Sequence, residues 1–288
     1  METMNSSSWK NAKLTRTETE ERRRLWWAVI ILDRCTHAGF RFRPLAIPSI
    51  AFDEIIPASH DDWDNGELAV NPLLVMSIES ETLVSPYARA CQAAHLPGRV
   101  CQHFNDHTNA EDCDIHFREA VQILRAEKAL NVLVQQDALN NSQTLRLVSA
   151  RALCISALLL LTDVHSCIEV DHVEAGGGNR GLRLELQQMA IDEAKATASE
   201  TVSFAEELEA HITMHGVASV GPLVLNCLYP AAATFAWYHR ETGSEAHYLK
   251  LLKLRHVLGL LKEQWPARSD YLDLLEGTGF TYTGAAFQ

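Results

Sequence analysis

Seven donors of the kind that bind metals fall within 26 residues: Cys91, His95, Cys101, His103, His107, Cys113 and His116. Thiolate and imidazole suit zinc, but a closed site needs four of them converging, usually with C-x2-4-C or H-x3-5-H spacing at each end. His103-x3-His107 and Cys113-x2-His116 approach that spacing, yet no paired-thiol knuckle is present. The expectation is a set of surface histidines and small buried thiols, with no metal bound. A second group, His165, Cys167, Asp171 and His172, has no recognised ligand spacing. His211 and His215 stand four apart in HITMH, without the glutamate beside the first histidine that a metalloprotease motif needs.

Nucleophilic and nucleotide chemistry find less support. No GxSxG elbow occurs, and no Gly-rich fingerprint follows a strand. GGGNRG at 176–181 reads as a linker between helices and not as a phosphate cradle. We therefore expect no catalytic residue and no cofactor, and an enzyme is the least favoured reading. The seven cysteines, at 35, 91, 101, 113, 154, 167 and 227, are odd in number and scattered, which favours reduced thiols in an intracellular compartment. The first 13 residues lack the apolar core of a signal peptide, so secretion is not expected.

Charge argues against gripping nucleic acid. The 288 residues carry 25 Lys and Arg against 37 Asp and Glu, a net charge of −12. Phosphate neutralisation supplies most non-specific affinity, and an acidic chain has little to offer it. Lys10, Lys13, Arg16, Arg22, Arg23 and Arg24 form a basic cluster, but Glu18, Glu20 and Glu21 dilute it.

The elements that would position these groups are helical. Thr17 with Glu20 fits a capping box, opening a helix that runs to Gly39. Its middle, with Leu25, Trp26, Ala28, Val29, Ile30, Ile31 and Leu32, is apolar all round and is expected to be enclosed. Residues 40–72, with four prolines and the turn DDWDNGE, predict an extended connection anchored by Ile47, Ile50, Phe52, Ile55 and Ile56. Helical periodicity then marks 73–94, 111–137, 143–167, 182–212, 221–240 and 245–263, with a short last helix near 268–276. The uncharged stretch 217–238 is long enough to cross a bilayer, but Gly221, Pro222, Asn226 and Pro230 favour a buried core helix. The reading is all-α: an irregular bundle of about seven to eight helices, with an arm at 1–17, a helical domain at 18–276 and a tail at 277–288.

EERRRLWWAVIILDR (20–34), then RPLAIPSIAFDEIIP (43–57), resembles the middle homology region of fungal zinc-cluster transcription factors. GRVCQHF (98–104), PLVLNCLYPAAATFAWY (222–238) and LLKLRHVLGLLKEQWPARSDYLDLLE (251–276) are similar to later parts of the same region. Phe42, where that family has glycine, and Pro97 depart from its pattern, and its six-cysteine DNA-binding cluster is absent. The resemblance implies a nuclear regulator of metabolic or biosynthetic-cluster genes that works through a helical domain, while the net charge and the missing cluster predict no sequence-specific DNA contact by this chain alone, and the prolines of 217–238 predict no membrane span. Protein partners, self-association or a small-molecule effector would then carry the signal. The alternative is a truncated interaction or small-molecule-binding module that modulates a full-length regulator. For the motif residues Arg23, Trp26, Trp27, Asp33, Arg34, Arg43 and Pro44 the physical expectation is a structural latch. A carboxylate beside an apolar helix must be paired, which ties Asp33 to Arg34 or to the loop holding Arg43 and Pro44.

Overall fold

Sparse glycine and long apolar periodicity produce eight α-helices among the described residues, with one isolated bridge between Ile55 and Leu73 and no strands. The computed structural model describes residues 14–38, 45–47, 50–51, 53–67, 71–74, 84–105, 113–140, 146–166, 180–265 and 275. The helices are α1 (Arg16–Ala38), α2 (His60–Asp64), α3 (Pro86–Asn105), α4 (Cys113–Asn140), α5 (Val148–Ser166), α6 (Arg180–His215), α7 (Leu225–Thr242) and α8 (Glu245–Leu260). The expected last helix near 268–276 and the 277–288 tail lie outside the described residues, apart from the helical Leu275.

The helix enclosed on every side is α5 and not α1. Residues 150–162 of α5 are buried throughout, and α5 contributes to all three apolar clusters of the core. One cluster joins α5 to α6, α7 and α8, and another joins it to α1, α3 and α4. α5 is also the one described helix long and apolar enough to cross a membrane, and 72% of that stretch is buried inside the fold. The uncharged 217–238 stretch forms two 3-10 turns, Val217–Ser219 and Pro222–Val224, and then the buried first half of α7. Pro230 sits within α7 without ending it, its carbonyl accepting from Thr234 Oγ1.

α1 lies at the edge of the bundle, which corrects the enclosed helix expected there. Trp27, Ile30 and Ile31 face the core, while Leu25 (67%), Trp26, Val29 and Leu32 (57%) are exposed. Its cap is also two residues earlier than expected. The Thr15 amide donates to Glu18 Oε2 at 2.8 Å and the Glu18 amide donates to Thr15 Oγ1 at 3.2 Å, so the helix begins inside the stretch expected to be an arm.

α3 is displaced from the expected 73–94. Leu73 is held in the bridge to Ile55, and the helix opens at Pro86, a first-turn position that needs no amide hydrogen. Ser85 Oγ accepts the Ala88 amide at 3.3 Å. Pro97 lies within α3, which runs on to Asn105: proline removes one ladder hydrogen bond, and burial on both sides keeps the helix going. The turn from α7 to α8 is made by Gly243 at φ +63°, whose amide donates to the His239 carbonyl at 2.8 Å.

Candidate functional site

The connection after α1 is stitched back onto it by charged groups. Glu20, nearly buried, accepts the Ala58 amide at 2.9 Å, Asn71 Nδ2 at 2.9 Å, and the guanidinium groups of Arg23 and Arg24. Burial alone would raise its pKa; the bonds from Asn71, Ala58 and Arg23 outweigh that and hold it below the ordinary carboxylate value. Arg24 also donates to the Ala58 and Ser59 carbonyls and lies over the Trp63 ring. Trp27 is wholly buried, and its Nε1 donates to the Ile55 carbonyl at 3.0 Å. Ile55 is therefore held by its backbone with its side chain exposed, unlike the expected anchor; Ile56 takes the core position and Phe52 lies outside the described residues.

The end of α1 carries the second knot. Asp33 accepts from the guanidinium of Arg34, from the Ala46 amide at 3.2 Å and from the Ile47 amide at 3.3 Å, and lies 3.2 Å from His37 Nδ1. Arg34 Nη1 donates to the Ile47 carbonyl at 2.8 Å. Its side chain crosses α3 at Gly98, where an added Cβ would stand 2.5 Å from Arg34 Nε. One residue on, the Cys35 carbonyl accepts Asn226 Nδ2 of α7 at 3.1 Å. Of the seven motif residues, Arg23, Trp27, Asp33 and Arg34 enter this network, Trp26 faces outward, and Arg43 and Pro44 lie outside the described residues. Glu20 and Gly98 are latch residues that sequence reading missed; a carboxylate inside an Arg-rich turn was the available signal for the first.

A separate polar cluster joins the end of α3, the start of α4 and the end of α5. His103, almost wholly buried, stacks face to face on His116 with ring centroids 3.8 Å apart. Its Nδ1 lies 3.2 Å from Glu119 Oε2, and its Nε2 lies 3.2 Å from His165 Nε2. Arg99 Nη2 donates to Glu119 Oε1 at 3.0 Å. Burial, reinforced by His103 and His116, pushes His165 down to about 3; burial with Arg99 and Arg34 pushes His95 down to about 4. The spacing-based reading kept these two histidine groups apart, whereas folding brings His165 against His103. Cys91 and Cys101 point into the core, their thiols pushed up by burial, Cys101 to about 11. His107, Cys167, Asp171 and His172 lie outside the described residues, as does the side chain of Cys113. His211 and His215 pair at the end of α6, ring centroids 4.7 Å apart. An open recess borders Ile212, Val217, His256, Gly259 and Leu260.

Fold and sites together define an all-α protein with a latched edge helix and a buried histidine cluster. Compared with models of known families, with characterised proteins and with solved structures, the chain matches none.

Proposed function

We propose that the chain is the helical regulatory domain of a nuclear transcription regulator of the fungal zinc-cluster kind, acting through protein contact and not through its own grip on DNA. The observation that carries this reading is the meeting of four separate sequence passages at residues 33–35. Asp33 and Arg34 of the first hold Ala46 and Ile47 of the second, Arg34 crosses Gly98 of the third, and Cys35 accepts from Asn226 of the fourth. Four of the five passages that carry the resemblance thus form one connected unit, as segments of a common domain should. Metabolic genes as targets follow from the resemblance alone.

The contact surface on this reading is the stripe Leu25, Trp26, Val29 and Leu32. Contiguous exposed apolar surface of this kind marks an interaction site. Glu18, Glu21, Arg16 and Arg22 line the same helix with both signs of charge, which suits a self-complementary twofold pairing with a second copy of the chain.

The test fuses the chain to an unrelated DNA-binding domain and reads a reporter gene, beside light scattering on the unfused protein. The expected result is a dimer that changes transcription, and loss of both in Leu25→Glu/Leu32→Glu with helicity intact. The unfused chain should shift no specific duplex at physiological salt, because Arg23 and Arg24 are already committed to Glu20. A strictly monomeric chain, a silent reporter or specific duplex binding would each overturn the reading.

A further inference from the structure

We propose that the junction of α3 and α4 is a binding site for a divalent transition-metal ion, held by an imidazole nitrogen of His103, an imidazole nitrogen of His116 and carboxylate oxygen Oε2 of Glu119. Donor atoms of these three side chains lie within 4.8 Å of one another. A tetrahedral ion with bonds of about 2.0–2.2 Å places its ligands roughly 3.3–3.5 Å apart. His103 Nδ1 and Glu119 Oε2 already stand 3.2 Å apart, and His116, now stacked on His103, must rotate until a ring nitrogen points at the ion.

The placement follows from the helices. His116 and Glu119 are three residues apart on α4 and share a face, and α3 delivers His103 to that face. Two imidazoles and one carboxylate favour zinc, copper or nickel over magnesium or calcium, which prefer all-oxygen shells. Glu119 is about one-third exposed, which leaves a route from solvent and an open position for water, whereas His103 is sealed.

The surrounding groups complete the arrangement. Metal-bound histidine commonly donates its second ring N–H to a neighbour, and bound carboxylates are themselves hydrogen-bonded. His165 Nε2 stands 3.2 Å from His103 Nε2, a contact that is a hydrogen bond only when one of the two nitrogens carries a proton and the other accepts it. With the ion on Nδ1, His103 carries its proton on Nε2 and donates it to His165. Arg99 engages Oε1 of Glu119 and leaves Oε2 for the ion. His165 and Arg99 are positioning residues here.

Chelator-treated full-length chain would be titrated with Zn²⁺ against a chromogenic chelator, and the Co²⁺-loaded chain examined by visible absorption. One equivalent of Zn²⁺ should bind, with X-ray absorption showing nitrogen and oxygen neighbours and no sulfur. His116→Ala and Glu119→Gln should each weaken binding by about tenfold or more, and His165→Ala should weaken it while keeping the same set of neighbours. His211→Ala/His215→Ala should leave the stoichiometry unchanged. Absence of an equivalent, sulfur neighbours in the wild-type spectrum, or affinity that survives both His116→Ala and Glu119→Gln would overturn the assignment. The wild-type spectrum decides the matter even if a variant fails to fold.

Discussion

Asp33 and Glu127 are both buried carboxylates, and their surroundings give them opposite effects on stability. Asp33 accepts from Arg34 and from the Ala46 and Ile47 amides, so its charge is matched. Asp33→Ala leaves a buried guanidinium short of its counter-charge and should destabilise by about 3–5 kcal/mol in urea denaturation. Glu127 on α4 is completely buried, and neither oxygen has a hydrogen-bond partner among the described residues. Burial, with Glu193 adding like charge, raises its pKa well above the ordinary 4.5, so the folded chain holds a proton there that the unfolded chain releases. Between the unfolded and folded pKa values the native state binds more protons, and stability must fall as pH rises. Glu127→Gln should therefore raise the unfolding free energy at neutral pH by about 1–3 kcal/mol, seen as a higher midpoint, and converge with wild type near pH 4. Equal midpoints at pH 7 would show that Glu127 is not the buried proton carrier described.

At the scale of elements, periodicity in the sequence located most helices, and the exceptions have physical causes. Apolar residues on all sides of 25–32 suggested enclosure, but being apolar does not bury a residue unless another element reaches it, and only the Trp27, Ile30 and Ile31 side of α1 meets α3 and α5. The start of α3 was obscured because Leu73 pairs in a long-range bridge that local periodicity cannot register. Likewise Thr17 and Glu20 fit a capping box, yet Ala58 and Asn71, 38 and 51 residues away, claim the Glu20 carboxylate. The histidine site was half visible: His103 and His116 stood out by type, while His165 depends on how α5 packs against α3. That α1–α3 contact has its own test in Gly98→Ala. The new Cβ would meet Arg34 Nε at 2.5 Å, and Arg34 cannot swing away without releasing Asp33 and the Ile47 carbonyl. A loss of about 1–3 kcal/mol is expected from such overpacking. An unchanged thermal midpoint would mean that the guanidinium is free to move.

On the scale of the whole molecule, α5 unites the apolar clusters on its two sides, so neither half of the bundle keeps its core without it. The described cysteines are distributed through that arrangement: Cys35 on α1, Cys91 and Cys101 on α3, Cys154 on α5 and Cys227 on α7. Burial raises the pKa of every one of them, Cys35 to about 12. Since thiolate is the reactive form, alkylation of the four buried thiols requires an opening event that brings each sulfur to water, whereas Cys35 is only part-buried. The native thiols are in effect clocks installed at different depths. With a small iodoacetamide pulse and peptide mapping, Cys154 and Cys227 should be labelled at one shared slow rate, that of global opening. Cys35, on the edge helix, should be labelled sooner whenever α1 peels away by itself. Labelling of Cys154 ahead of Cys35 would mean that the bundle breathes from its centre outward.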